Sequence, residues 1–482
     1  MELLKRREMD MTKGPIFKQI VAFAIPLVIA NLLQTAFNMA DTFILGIFAD
    51  NGDLCVGAVS TTGSLINMIV SLFIGLSVGA NVVVARFIGA KQEERVKKTI
   101  GTSVAISLIA GAILVLVGIF CSRTFLTWTN VDSDFIDLAT TYLTIYLCGS
   151  PFMLLYNYSA NILRASGDTV RPMFYITVGG VINVLLNIIL VVFTPLDVEG
   201  VAIATVASNA FAGVACFISL LKNKSVAKFE WKYFKIYKYE LGELLRVGVP
   251  SGINSALFGF SNTLIGSSIN KLGVLHGNHI VAGSGYANQF DNIIYVCMNS
   301  IALSAQAFIS QNYGARDYDR IKRTFFTSVG IVSVVGIVIS GLMVALVYPL
   351  INAISGNPKV AEAALNKTLW IGAFYVLCGI MDTMSYSLRG VGKSFTGMVV
   401  TLTGTVFFRV LWILFIFPLN QTEAMLYSVY PITWAITIVT FIIIIYRIFK
   451  NLRRKFFLED KIAKDFMEET QNLKLQSQDK AV

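Results

Sequence analysis

Four ionisable side chains stand inside stretches that are otherwise apolar: Asp41, Asp291, Asp382 and Arg409. Inside a membrane such a group costs roughly 3 kcal/mol on insertion scales, which makes each a candidate for function. Asp41 follows Pro26 by fifteen residues, a rise of about 22 Å along a helix. Gln34, Asn38 and Asp41 are spaced four and three apart and share one helix face, which cannot point at lipid. A carboxyl group held out of water can exchange a proton near neutral pH. The alternative is an aspartate at a wetted helix end that caps the next turn. Asn183 and Asn187, four apart, also share a face, and Asn157, Thr205 and Asn209 stand in neighbouring apolar runs. With Asp41 they form either one polar cluster or a set of interhelical hydrogen-bond contacts. Asp382 and Arg409 lie in consecutive runs, where an opposite-charge pair would lower the cost of both, as a structural or a functional device. Asp291, close to Asn288, Gln289 and Asn292, is a cavity candidate. Phe37, Tyr286, Tyr295 and Tyr386 are aromatics able to stack on an organic cation, although each alone is as well explained by packing.

The elements that must carry these residues are membrane spans. Of the 482 residues, 55% are hydrophobic and 14% charged, against roughly 25% charged in a soluble domain. The segments 100–120, 174–194 and 426–446 each run 21 residues without a formal charge, and about 20 apolar residues cross the hydrocarbon core. The pattern predicts an all-α membrane protein with twelve spans near 19–47, 56–85, 100–120, 138–162, 173–194, 200–221, 247–270, 280–310, 325–351, 368–388, 395–417 and 424–446. With the N-terminus inside, inner segments hold 34 of the 39 Lys and Arg residues. The outer loops hold Arg123, Lys271, Lys359 and Lys367, and Arg409 alone falls within a span. Outer loops carry acids instead, among them Asp50, Asp132, Asp134 and Asp197. This bias places both termini in the cytoplasm. It also assigns the +10 net charge to a surface facing anionic lipid rather than to nucleic acid.

The chain repeats itself. Gly89-Ala-Lys-Gln-Glu-Glu-Arg-Val-Lys-Lys-Thr99 and Gly314-Ala-Arg-Asp-Tyr-Asp-Arg-Ile-Lys-Arg-Thr324 agree at five of eleven positions, at an offset of 225. The same offset relates Leu163-Arg164-Ala-Ser-Gly167 to Leu388-Arg389-Gly-Val-Gly392, and Pro26 precedes Pro250 by 224. The expected organisation is a cytoplasmic N-terminus (1–18), a six-helix lobe (19–221), a basic linker (222–246), a second six-helix lobe (247–447) and a polar cytoplasmic tail (448–482). The tail reads as an interfacial helix with a frayed end. An even number of spans per repeat relates the lobes by a pseudo-twofold axis along the membrane normal, an arrangement suited to alternating access.

Other chemistries find no support. The six cysteines have no paired spacing, and His276 and His279 share one loop without a nearby cysteine, so neither a disulfide scaffold nor a metal site is expected. No HExxH or Gly-rich phosphate loop appears, so the chain is not read as an enzyme. Residues 1–18 are charged and lack a cleavable apolar core, so the first span is expected to act as the insertion signal.

Several motifs, in order and spacing, resemble the multidrug and toxic compound extrusion (MATE) family: Pro26 to Asp41, the paired Gly89-Ala-Lys and Gly314-Ala-Arg loops, the doubled Leu-Arg-x-x-Gly, and Gly248-Val-Pro250. The resemblance runs from about Lys13 to Lys450. It implies a V-shaped pair of six-helix bundles that exchanges H+ or Na+ for organic cations and amphipathic compounds. That work would be done by a monomer in a bacterial inner membrane, with no cofactor beyond the coupling ion. It implies a cation site on Asp41, Asn157, Asn183 and Thr205, with Asn187 beside them, and a hinge at Pro26. Many relatives carry aspartate where Asn187 stands, and one subgroup carries glutamate where Phe258 stands. The N-terminal lobe would thus couple through one carboxylate. The alternatives are a flippase for lipid-linked precursors and a transporter of one endogenous metabolite.

Overall fold

The computed structural model describes residues 8–49, 52–128 and 136–479, and Asp50, Asp132 and Asp134 lie outside them. Regular structure among the described residues is helical. The first half holds α1 (Ile16–Phe48), α2 (Gly52–Gly89), α3 (Glu93–Trp128), α4 (Ile136–Cys148), α5 (Ser150–Ala165), α6 (Val170–Val192) and α7 (Val198–Leu221). The second half opens with α8 (Lys238–His276), α9 (His279–Gly314) and α10 (Tyr318–Ser355). It closes with α11 (Pro358–Lys367), α12 (Tyr375–Gly390), α13 (Ser394–Thr401), α14 (Phe408–Leu411), α15 (Glu423–Tyr427) and α16 (Val429–Asp479).

Among the described residues ten helical runs are long and apolar enough to cross a membrane, and α4 with α5, bent by 46°, makes an eleventh. The remaining expected span, 247–270, falls within α8, which is 39 residues long but less apolar than the others. Its Ser, Asn and Gly residues dilute its hydropathy because much of it packs on α2 instead of lipid. The bend between α4 and α5 falls at Gly149, just before Pro151, which has no amide to continue the hydrogen-bond ladder. Spans ten and eleven contain wide π turns at Thr368–Gly372, Leu402–Phe407 and Trp412–Ile416. Large apolar side chains such as Phe120, Phe193, Val334 and Ile337 face outward, a surface that requires lipid.

Helix ends differ from the expected spans. Residues 238–246, expected as linker, begin α8, and the tail, expected as an interfacial helix with a frayed end, continues α16 to Asp479. Hydropathy marks only the part of a helix inside hydrocarbon. Lys, Glu and Arg are good helix formers and carry the same helix beyond it.

The duplication is visible in the backbone. Both ends of α5 precede those of α12 by 225 residues. Left-handed backbone recurs at the same offset, at Lys91 (φ 54°) and Arg316 (φ 59°), then at Gly167 (φ 95°) and Gly392 (φ 78°). Left-handed φ is uncommon outside glycine, so its recurrence marks one turn built twice.

Equivalent residues also meet across the seam between the halves. Gln306 donates to Asn81, 225 positions earlier, at 3.3 Å. Gly89 lies on the backbone of Gln311 and Gly314 on that of Arg86, so close that a Cβ on either glycine would stand 1.9 Å from the facing carbonyl oxygen. Gly75 and Gly79 of α2 rest in the same way on Gly252 and Gly248 of α8, the small-xxx-small pattern that lets membrane helices approach closely. The segment before α1 straps this end. The Met11 amide donates to Gln311 (3.3 Å), and its carbonyl accepts from Asn312 (3.1 Å) and Arg320 (3.0 Å). Glu8 accepts from Asn223 and Ser225, each at 2.8 Å, beside the first lobe. The lobes are therefore closed at the Lys/Arg-rich end. Among the described residues, side-chain hydrogen bonds between the lobes reach no further toward the opposite end than Asn292 to Thr35, 3.4 Å.

Candidate functional site

Asp41, in the far half of α1, is 9% exposed. It meets α6, whose Asn187 is fully buried and donates to the Asp41 carboxylate at 2.5 Å. The chain of polar groups continues from Asn187 to Asn183 (3.4 Å) and from Asn183 to the Thr205 hydroxyl on α7 (3.4 Å). The spacing of four residues puts Asn183 and Asn187 one turn apart on the same face, as their positions in the sequence suggest. Asn209 donates to the Thr205 carbonyl at 3.0 Å and extends the same helix face. The Asn187 carbonyl oxygen is buried without a partner. Among the described residues Asp41 has no ion pair. What results is one carboxyl group beside neutral amide and hydroxyl oxygens, with one of those oxygens unused. That donor set can take a proton on the carboxylate or hold one small monovalent cation.

Other expected members sit apart. Asn157, half-buried on α5, donates to the carbonyl of Met153 on its own helix (2.9 Å), and no hydrogen bond joins it to Asp41. Gln34 and Asn38 share the Asp41 side of α1 but are exposed. Phe37 packs so tightly on α6 that a Cβ at Gly180 would stand 1.9 Å from its ring. Pro26 is buried within an unbroken α1. Two residues that sequence reading passed over, Tyr142 and Tyr146 of α4, are within electrostatic reach of Asp41. Their rings lie 6.1 Å apart.

The second lobe arranges its polar groups differently. Asp291 of α9, 8% exposed, forms an ion pair at 3.5 Å with Lys367, which is 3% exposed. Lys367 also donates to the Ser284 carbonyl (3.3 Å) and to the Asn288 side chain. The placement of Lys367 in an outer loop is thus overturned, as is the reading that Arg409 is the one cation in a span. The signal for a longer helix was in the sequence. Asn357-Pro358 is a helix start, with the Asn357 side chain accepting from the Lys359 amide (3.1 Å). Extending span ten back to Pro358 takes Lys367 indoors.

Asp382 and Arg409 do not pair. Arg409, 2% exposed, stacks on Tyr430 at 4.2 Å and donates to Asn262 at 3.4 Å, with Phe258 at 6.0 Å. Its guanidinium is turned toward α8 and α16, where aromatic faces take the place of a counter-ion. Asp382 instead feels Arg389 further along α12, whose guanidinium lies 4.3 Å from the Tyr386 ring. Tyr295 accepts from Asn299 at 3.0 Å, and Tyr286 is exposed. No group of three or more His, Cys, Asp or Glu side chains is placed to hold a metal among the described residues.

Known proteins share this architecture. The MatE family model matches residues 26–189 and 250–417, two segments that begin at Pro26 and Pro250. The chain is 27% identical over 395 residues to the probable multidrug resistance protein YoeA of Bacillus subtilis strain 168, covering 79% of this chain and 82% of that one. It is 25% identical over 391 residues to the multidrug export protein MepA of Staphylococcus aureus, covering 80% and 82%. Among solved structures, a MATE protein in complex with MaL6 superposes with a TM-score of 0.85 at 19% identity, over 93% of this chain and 100% of that one. A MOP superfamily transporter from Pyrococcus furiosus superposes with a TM-score of 0.81 at 20% identity, over 94% and 99%. That protein is described as having a binding pocket of reverse polarity that suggests a different function. At these identities the solved structures show the fold.

Proposed function

The chain belongs to the MATE family of multi-pass membrane transporters, and from that premise we propose that it is a secondary antiporter. It exports organic cations and amphipathic drugs in exchange for H+ or Na+ by alternating access. The observation that carries this reading is Asp41: a buried carboxyl group that accepts from Asn187, heads an Asn187–Asn183–Thr205 chain and, among the described residues, has no ion pair. Such a group changes charge when an ion arrives, which a coupling site must do. The relatives YoeA and MepA, named for multidrug resistance and export, support drug-like substrates.

In this mechanism both termini are cytoplasmic and the lobes stand closed toward the cytoplasm. A proton or sodium ion enters from outside and loads Asp41. Pro26 leaves the Ala22 carbonyl without its helix donor, so α1 bends there at lower cost than elsewhere. Bending changes the space between α1 and α6, where Phe37 now rests on Gly180, and expels the substrate. One charge crossing 100 mV releases about 2.3 kcal/mol, and one pH unit adds about 1.4 kcal/mol. Together they sustain a substrate gradient of several hundredfold, roughly, for an electroneutral substrate.

A second reading, export of an acidic metabolite or a lipid-linked precursor, draws on Arg409, a buried cation without an acidic partner among the described residues. Efflux of a fluorescent cationic dye from proteoliposomes decides between them. Dye movement driven by an imposed proton or sodium gradient identifies the antiporter and its ion. Absence of movement under both gradients, with uptake of an anionic substrate, favours the second reading.

A further inference from the structure

A groove of about 980 Å³ opens between α10 and α16, with Met384 of α12 on its wall. That volume is at the upper end of ordinary ligand pockets. It lies outside the polar clusters of both lobes. Its inner surface is apolar, built from Phe325, Ile445 and Phe449, all buried, while Phe326, Tyr446 and Phe457 flank its mouth and are exposed.

One end of the groove is strongly cationic. Lys322, Lys450, Arg453 and Arg454 line it, and among the described residues none has an ion-pair partner. Their neighbours behave differently: Arg316 and Lys455 share Glu459 at 3.6 and 3.7 Å. The polarity has a direction. α10 leaves the Lys/Arg-rich face and α16 returns to it, so Val329 and Ile442 mark the apolar end. From Ile442 to Arg453 the helix rises about 16 Å, half the hydrocarbon thickness.

We infer that this groove is a binding site for one anionic phospholipid from the leaflet at the Lys/Arg-rich face, its acyl chain on the aromatic wall and its phosphate among the four cations. A soluble anion would leave the apolar length of the groove unused. A zwitterionic lipid would bring its own cation to a site that already holds four. Because Met384 sits two residues from both Asp382 and Tyr386, the bound lipid touches the helix that carries the second-lobe polar cluster.

The test uses the full-length chain in detergent and reads lipid retained by native mass spectrometry, so it stands apart from any transport assay. Phosphatidylglycerol should be retained at one molecule per chain in preference to phosphatidylcholine. The variant Arg453→Gln/Arg454→Gln should weaken that retention by about 25-fold, or about fivefold per cation. Lys455→Gln, which removes a cation already paired with Glu459, should leave retention unchanged. Equal retention of both lipids, or the same retention in the double variant, would overturn the assignment. So would displacement of phosphatidylglycerol by inorganic phosphate alone, which would identify a phosphate site.

Discussion

The two lobes repeat one backbone and diverge in chemistry. In the first, Asp41 accepts from Asn187 and, among the described residues, has no ion pair. In the second, Asp291 is tied to Lys367. At an offset of 225, Tyr142 corresponds to Lys367 and Asn157 to Asp382. Where the first lobe has a neutral ring near its carboxylate, the second has an ammonium group next to its own. A carboxylate without a cation can gain a proton or an ion and leave no buried charge behind. A paired one cannot, because neutralising it strands the partner. On the proposed reading ion coupling belongs to the first lobe, while the Asp291–Lys367 pair of the second ties α9 to α11.

The largest effect should come from breaking that pair. Lys367→Met strands Asp291 and should cost about 3–5 kcal/mol of stability, read by unfolding of the detergent-solubilised protein. Adding Asp291→Asn should restore most of it. A stable single variant would break the comparison. Asn187→Leu removes an amide oxygen beside Asp41 and should weaken the response of transport to sodium by about 1.5–3 kcal/mol, measured as an apparent affinity, whereas the response to protons should not weaken, because the lost N–H bond favours the ionised carboxylate. Gly89→Leu puts a side chain against the Gln311 backbone and should destabilise the closed seam by about 1–3 kcal/mol. Labelling of a cysteine introduced at the Lys/Arg-rich end should rise accordingly. Thr205→Val should cost least, about 0.5–1.5 kcal/mol in ion affinity, because one neutral hydrogen bond is lost.

The sequence announced the duplication and most spans because long apolar runs and a constant offset are local signals. It also brought Asp41, Asn183, Asn187 and Thr205 forward, since polar residues at helical spacing in apolar runs are conspicuous. It misled at Lys367, Asp382 and Arg409, for a common reason. Linear order says which helices are neighbours, not which way a long side chain turns. Arg409 turns to Tyr430 instead of Asp382, and Lys367 reaches back to α9 from a helix whose start was placed ten residues late. Tyr142 and Tyr146 escaped notice because an aromatic in a span ordinarily signals packing. α8 was expected as the span 247–270 although it is less apolar than the others, since much of its surface is spent on α2.

Gradient-driven dye efflux from proteoliposomes, run side by side on Asp41→Asn and on the double variant Asp291→Asn/Lys367→Met, tests the division between the lobes most directly. Asp41→Asn should lose gradient-driven efflux altogether while folding normally, and the double variant should keep it. Coupled efflux that survives in Asp41→Asn and vanishes in the double variant would contradict the assignment and move ion coupling to the second lobe.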